Sequence, residues 1–301
     1  MSLIVFLLVT SCNVFADDLP DVPSGAQAVS LTGESLFAAE PGQDALDRLA
    51  AAKKNYDGNP HDADNIIWYG RRTAYTGDYR GAIEIFSTGI REFPDDARMY
   101  RHRGHRYISI REIDRAIQDL EHAAKLIEGT ENEIEPDGLP NALNIPISSL
   151  HGNTWYHLGL AYYLKHDWPN AYRAYKAGFN AGRNDDNRVS TTHWLYMILR
   201  RMGEKESADE VLDVITADMN VIENTVYYNL CLFYKGELSL EEMLGDDADN
   251  PTGAAAAYGV ANWYYYNGDE AEARARLESL LATDSWSAFG YIAAEADMVA
   301  R

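Results

Sequence analysis

The chain has 301 residues, 46% apolar and 24% charged, with 20 Tyr and 6 Trp to fill a core. A net charge of −21 excludes general binding to nucleic acid or to anionic membrane surfaces, which would repel it at long range. Two cysteines, Cys12 and Cys231, imply no disulfide framework, and Cys231, among Tyr228, Leu230, Leu232 and Phe233, reads as buried filler.

Leu3 to Val9 is an unbroken apolar run, suited to the core of a signal peptide and far too short to span a bilayer. Two exits follow it. Val9-Thr10-Ser11-Cys12 looks like a bacterial lipobox, which implies lipidation of Cys12, and Val14-Phe15-Ala16 before Asp17 fits ordinary cleavage. Residues 1–16 are therefore expected to be a signal peptide or lipoprotein signal. The expected location is the periplasm or the outer membrane, touching lipid only through that anchor. Residues 17–43 carry Pro, Gly, Ser and acidic residues without helical period, and are expected to form a flexible tether. A helix is predicted over 44–56, capped by Asp44 and ended by Asn59-Pro60.

From Ala63 to Glu128 the chain repeats with a period of 34: Gly70 recurs as Gly104, Ala82 as Ala116, Phe86 as Leu120 and Gly89 as Ala123. Small residues at fixed spacing mark where two helices cross closely, since bulk there would push the axes apart. The period then stretches to 55 across an insertion at 131–150, which holds Pro136, Gly138, Pro140 and Pro146 and cannot be one continuous helix. That insertion reads either as a tolerated surface loop or as a lid or docking arm. The pattern returns through Trp155, Leu158, Gly159, Tyr162, Ala171, Tyr175 and Gly178, with His166 at a turn position that elsewhere holds Gly. Weaker units follow over 189–222, 227–244 and 254–287, and a terminal helix is predicted over 288–299.

These residues resemble the tetratricopeptide repeat (TPR), whose unit is a 34-residue helix–turn–helix. The resemblance covers most of residues 44–299. It implies an all-α fold, a right-handed α-solenoid, and a non-enzymatic scaffold that binds other proteins, with no cofactor.

Charge is unevenly placed. Ten Arg, no Lys and seven acidic residues lie between Arg71 and Arg115, whereas twenty acidic and five basic residues follow from Glu204 onward. On a helix Arg98, Arg101, His102 and His105 share one face. In the resembled family that face lines a concave groove. The equivalent positions one unit earlier include Trp68 and Arg71, and one unit later Asn153, Tyr156 and His157. Trp68, Arg71, Arg98, Arg101, His102, His105, Tyr156 and His157 are therefore the candidate partner-binding residues. Forked guanidinium donors flanked by aromatics suit a protein or peptide bearing acidic or carboxylate groups. Arg72, Arg103 and Arg106 fall at positions that are normally apolar. They are candidates either for the groove or for internal pairing with Asp78, Glu84, Asp114 or Glu121.

Alternatives stay open at this point. His102 or His105 can be read as a general base for a small molecule. The Arg-rich half can also be read as docking on the acidic tail of a second copy, giving a homo-oligomer. Zinc is not expected, for want of a third and fourth ligand in regular spacing, and Asp246-Asp247-Ala248-Asp249-Asn250 lacks the spacing of a calcium loop.

Overall fold

A computed structural model describes residues 19–244 and 253–300 of the chain. The signal region with Cys12 and the acidic stretch 246–250 lie outside the described residues. The described chain is an α-solenoid of TPR-like helix–turn–helix repeats preceded by a short hairpin, β1 (Ala28–Val29) and β2 (Ser35–Leu36). After α1 (Gln43–Gly58) come three regular units. These are α2 (Ala63–Tyr75) with α3 (Tyr79–Glu92), α4 (Ala97–Ser109) with α5 (Ile113–Leu126), and α6 (Leu150–Leu164) with α7 (Trp168–Ala181). The later units are less regular. In them α8 (Asp185–Met202) precedes the short α9 (Lys205–Val211), and α10 (Thr225–Lys235) precedes the one-turn α11 (Leu240–Leu244). The chain ends with α12 (Ala254–Tyr266), α13 (Glu270–Leu281) and α14 (Phe289–Ala300).

The periodic glycines have a steric cause. Each packs a first helix directly on a large residue sixteen positions later. A Cβ added at Gly70, Gly104 or Gly159 would lie 2.6 Å from Phe86, 2.7 Å from Leu120 or 2.6 Å from Tyr175. Ala82, Ala116 and Ala171 answer from the second helices, all three fully buried. Helix starts are set locally. Asp62, Asp78, Asp96, Ser149 and Asp167 each accept a backbone N–H of the first turn, a contact worth about 1 kcal/mol per cap. In α1 the cap is Gly42 rather than Asp44, which instead pairs with Arg48 one turn on.

The segment expected to be a tether is packed over its described part. Ala28 and Leu36 are buried, and the Gln27 side-chain oxygen accepts the N–H groups of Tyr79 and Arg80 at the start of α3. Periodicity missed this because a two-residue strand pair has no period to detect.

The two ends of the superhelix also meet. α14 packs against α12 and crosses to α6, so the C-terminal unit closes over the concave side of the first units. Two turn residues hold it there. The turn after a first helix needs a residue with positive φ. Gly77, Gly203, Gly236 and Gly268 supply it in four units, but Arg111 (φ 67°) and His166 (φ 56°) supply it after α4 and α6. Both reach α14: Arg111 forks onto Glu295, and His166 Nε2 lies 3.1 Å from Asp297 Oδ1.

Candidate functional site

The first helices α2, α4 and α6 line the concave side, and between them lies a chamber of about 510 Å³. Six of the eight candidate residues border it: Arg71, Arg101, His102, His105, Tyr156 and His157. Trp68 and Arg98 do not. Arg98 is tied at the edge to Asp96, the cap of its own helix, and to Asp64 of the preceding unit. Trp68 carries the Arg71 guanidinium over its ring at 4.4 Å and the Arg72 guanidinium at 5.0 Å. It is thus a platform that aims Arg71 rather than a contact in the chamber.

The insertion at 131–150 forms one wall. It pairs with the start of α6 through an Ile134–Ser149 bridge, and Glu135 N–H donates to Ser148 O at 2.9 Å. The Glu135 carboxylate, almost wholly buried, receives Arg101 Nη2 on the same oxygen that accepts Asn153 Nδ2 at 2.5 Å. Burial by itself would raise this carboxyl, but the Arg101 charge and these two hydrogen bonds hold it below the usual range. Arg71 Nη1 donates to Pro136 O at 2.9 Å and Arg72 Nη1 to Gly138 O at 2.7 Å. Arg71 and Arg101, expected to be open donors, are therefore engaged by the chain itself.

The other Arg sort themselves by partner. Arg103 is structural: its Nε and Nη2 fork onto Asp119 at 2.7 and 2.8 Å, and Nη1 donates to Ser87. The carboxylate that takes this fork, Asp119, is not among the four named from the sequence. Asp119, four residues before Ala123 on the inner face of α5, was missed because an Asp at that period reads as solvent-facing. Arg72 binds a carbonyl instead of a carboxylate.

Arg106 differs from all of these. Among the described residues it has no carboxylate or hydrogen-bond partner, and its guanidinium rests over Tyr79 at 5.3 Å. Burial pushes its pKa down to about 10.

The chamber histidines His102, His105 and His157 are neutral at pH 7. Burial, then the Arg101 charge, lowers His102 and takes His157 to about 3; burial and Arg106 lower His105. Hydrogen bonds assign two tautomers. His102 Nδ1 accepts from Arg101 Nη1, so its Nε2 carries the proton, whereas His157 Nδ1 donates to Asn153 O, so its Nε2 is an acceptor. His105 stacks on His157 with ring centroids 4.1 Å apart, and neither of its ring nitrogens is hydrogen-bonded. Phe289 of α14 closes the far side against His105 and His157. Among the described residues no three His, Cys, Asp or Glu side chains converge where a metal ion would sit.

What remains chemically available is a half-buried guanidinium beside open imidazole nitrogens, with Tyr156 and Phe289 as apolar wall. Chemically, such an arrangement suits an anion, and forked hydrogen bonding favours a carboxylate. The sequence left Arg106 open between the groove and an internal ion pair. The contributions of Glu135 and Phe289 carried no signal, since both come from segments outside the period that reach the chamber only through folding.

The chain matches no protein-family profile and no curated relative. Several solved structures resemble it. One is YrrB, a TPR protein with an unusual peptide-binding site (16% identity, TM-score 0.44, covering 77% of this chain and 91% of YrrB). Another is the Cut9–Hcn1 hetero-tetramer of APC/C (15% identity, TM-score 0.49, 79% of this chain and 37% of that one). A third is a kinesin light chain of Podospora anserina with nearly identical TPR-like repeats (15% identity, TM-score 0.44, 74% and 95%).

Proposed function

We propose that this solenoid is a non-enzymatic protein-binding scaffold whose concave chamber takes an acidic, carboxylate-bearing segment of a partner protein. The observation that carries the reading is Arg106. Among the described residues it is a guanidinium without a counter-charge, beside a His105 ring whose nitrogens are also unbonded, and both border the chamber. A half-buried guanidinium that faces the chamber without an anion is stabilised by a ligand carboxylate that pairs with it. The stacked helices hold the donors at fixed spacing, so little entropy is lost on binding. The apolar run and lipobox-like Val9–Cys12 support an envelope setting for this scaffold.

Fluorescence anisotropy with a labelled octaglutamate peptide tests the reading. Wild type should bind it, and Arg106→Gln should weaken binding by about tenfold or more with an unchanged circular dichroism spectrum, as expected when a charge-assisted hydrogen bond is lost. Equal binding by the two proteins would remove Arg106 from the site.

A further inference from the structure

We propose that residues 134–138 are an internal stand-in for the partner, occupying the groove until an extended acidic segment displaces them. This rests on the carboxylate-binding reading above and specifies what the ligand looks like.

The contacts of this short stretch fall on groove-facing positions of three consecutive units. Arg71 of α2 takes the Pro136 carbonyl, Arg101 of α4 takes the Glu135 carboxylate, and Asn153 of α6 takes the same carboxylate. Arg72 adds the Gly138 carbonyl. Gly138 lies so close to Tyr75 that an added Cβ would be 1.9 Å from the Tyr75 hydroxyl, so the backbone itself presses on the groove wall. One carboxylate and a series of main-chain carbonyls, read by side chains of successive repeats, is how an extended peptide would be held.

The stretch is anchored by polar contacts, whereas an insertion kept for stability would bury its apolar residues. Ile147 near the end of the insertion is buried, but Ile134, Leu139, Leu143 and Ile145 are 54%, 68%, 62% and 48% exposed, so releasing residues 134–138 removes little apolar surface from the core.

The internal fit is also incomplete. Arg71 Nε, Arg101 Nε and Asp137 Oδ2 are buried without a hydrogen-bond partner. A partner segment whose carboxylates reach those two donors would make bonds that residues 134–138 do not make. The ligand class that follows is an extended segment with a Glu or Asp in the place of Glu135, and free carbonyls one and three residues later.

The probe is a labelled peptide copying residues 132–140, measured by anisotropy against wild type and Glu135→Gln. The variant keeps a side-chain oxygen for Asn153 but loses the charge that Arg101 holds. The variant should bind the peptide at least tenfold more tightly than wild type, and a peptide with Gln in the place of Glu135 should bind neither. Hydrogen exchange on wild type provides a readout independent of how the variant folds. Saturating peptide should speed exchange at the Glu135 and Leu150 amides, which are hydrogen-bonded in the free protein.

The outcomes separate this proposal from the reading beneath it. Suppose octaglutamate binds wild type in an Arg106-dependent manner, while the copied peptide binds wild type and Glu135→Gln equally or leaves those amides protected. The stand-in is then overturned and the acidic groove survives. If neither probe binds either protein, both fail.

Discussion

Arg111 and Glu295 stand 184 residues apart in sequence and form a buried fork, Nε to Oε2 at 3.0 Å and Nη2 to Oε1 at 2.6 Å. Glu295 Oε2 also accepts the N–H of Leu31, and Arg111 Nη2 also reaches Trp286 O. One ion pair thus joins the N-terminal hairpin, the second repeat and the last helix. Arg111 occupies a left-handed backbone position, which costs a non-glycine residue roughly 1–2 kcal/mol. Its side chain is therefore what that turn retains in place of glycine.

Breaking this pair should unfasten the ring. Glu295→Ala leaves the Arg111 guanidinium buried without its anion and should lower unfolding free energy by about 3–5 kcal/mol. Arg111→Gly combined with Glu295→Gln should recover part of that loss, because the strain goes and no lone charge remains. Urea denaturation of the three proteins checks this, and a loss below about 1 kcal/mol for Glu295→Ala would mean that the fork does not hold α14 in place.

Arg101 is a second buried cation, and it behaves as a structural as well as a binding residue. Arg101→Met leaves the Glu135 carboxylate buried opposite no charge, so stability should fall by about 3 kcal/mol. Adding Glu135→Gln should restore most of it. The double-mutant cycle measured by thermal melts decides the point: additive losses would show that the two side chains do not depend on one another.

Acid should destabilise the protein through its buried histidines. His157 and His193 are held neutral by burial, each with its pKa lowered to about 3. Their folded values lie below the ordinary value of 6.5, so the unfolded chain binds protons more readily. The stability this provides is complete above about pH 6.5 and is lost as pH falls toward 3. At pH 5 the loss is about 2 kcal/mol for each group. Melting temperature should drop between pH 7 and pH 5, and His193→Gln should flatten that slope. A profile independent of pH across this interval would contradict the burial of these rings.

The site was half legible. Helical periodicity put Arg101, His102 and His105 on one face and aligned them with Arg71, Tyr156 and His157, and the chamber brings those six together. It misplaced Arg98, because the nearby carboxylates Asp96 and Asp64 hold that side chain at the edge. It also could not say which Arg remains open, since that depends on which carboxylates arrive from elsewhere. Asp119 claims Arg103, Glu135 claims Arg101, and nothing among the described residues claims Arg106.

The sequence by itself determined the repeat. Gly70, Gly104 and Gly159, each sixteen residues before Phe86, Leu120 and Tyr175, dictate helix pairs that touch at one point, and this is a local steric requirement. Only the tertiary structure decided how the groove is closed, by Glu135 from the insertion and by Glu295 and Phe289 from the last unit. Those contacts join residues as far as 264 positions apart, and no local period encodes them. They exist because the stacked repeats curve until the two ends meet, and burial then gives each charge a partner or, at Arg106, leaves it without one.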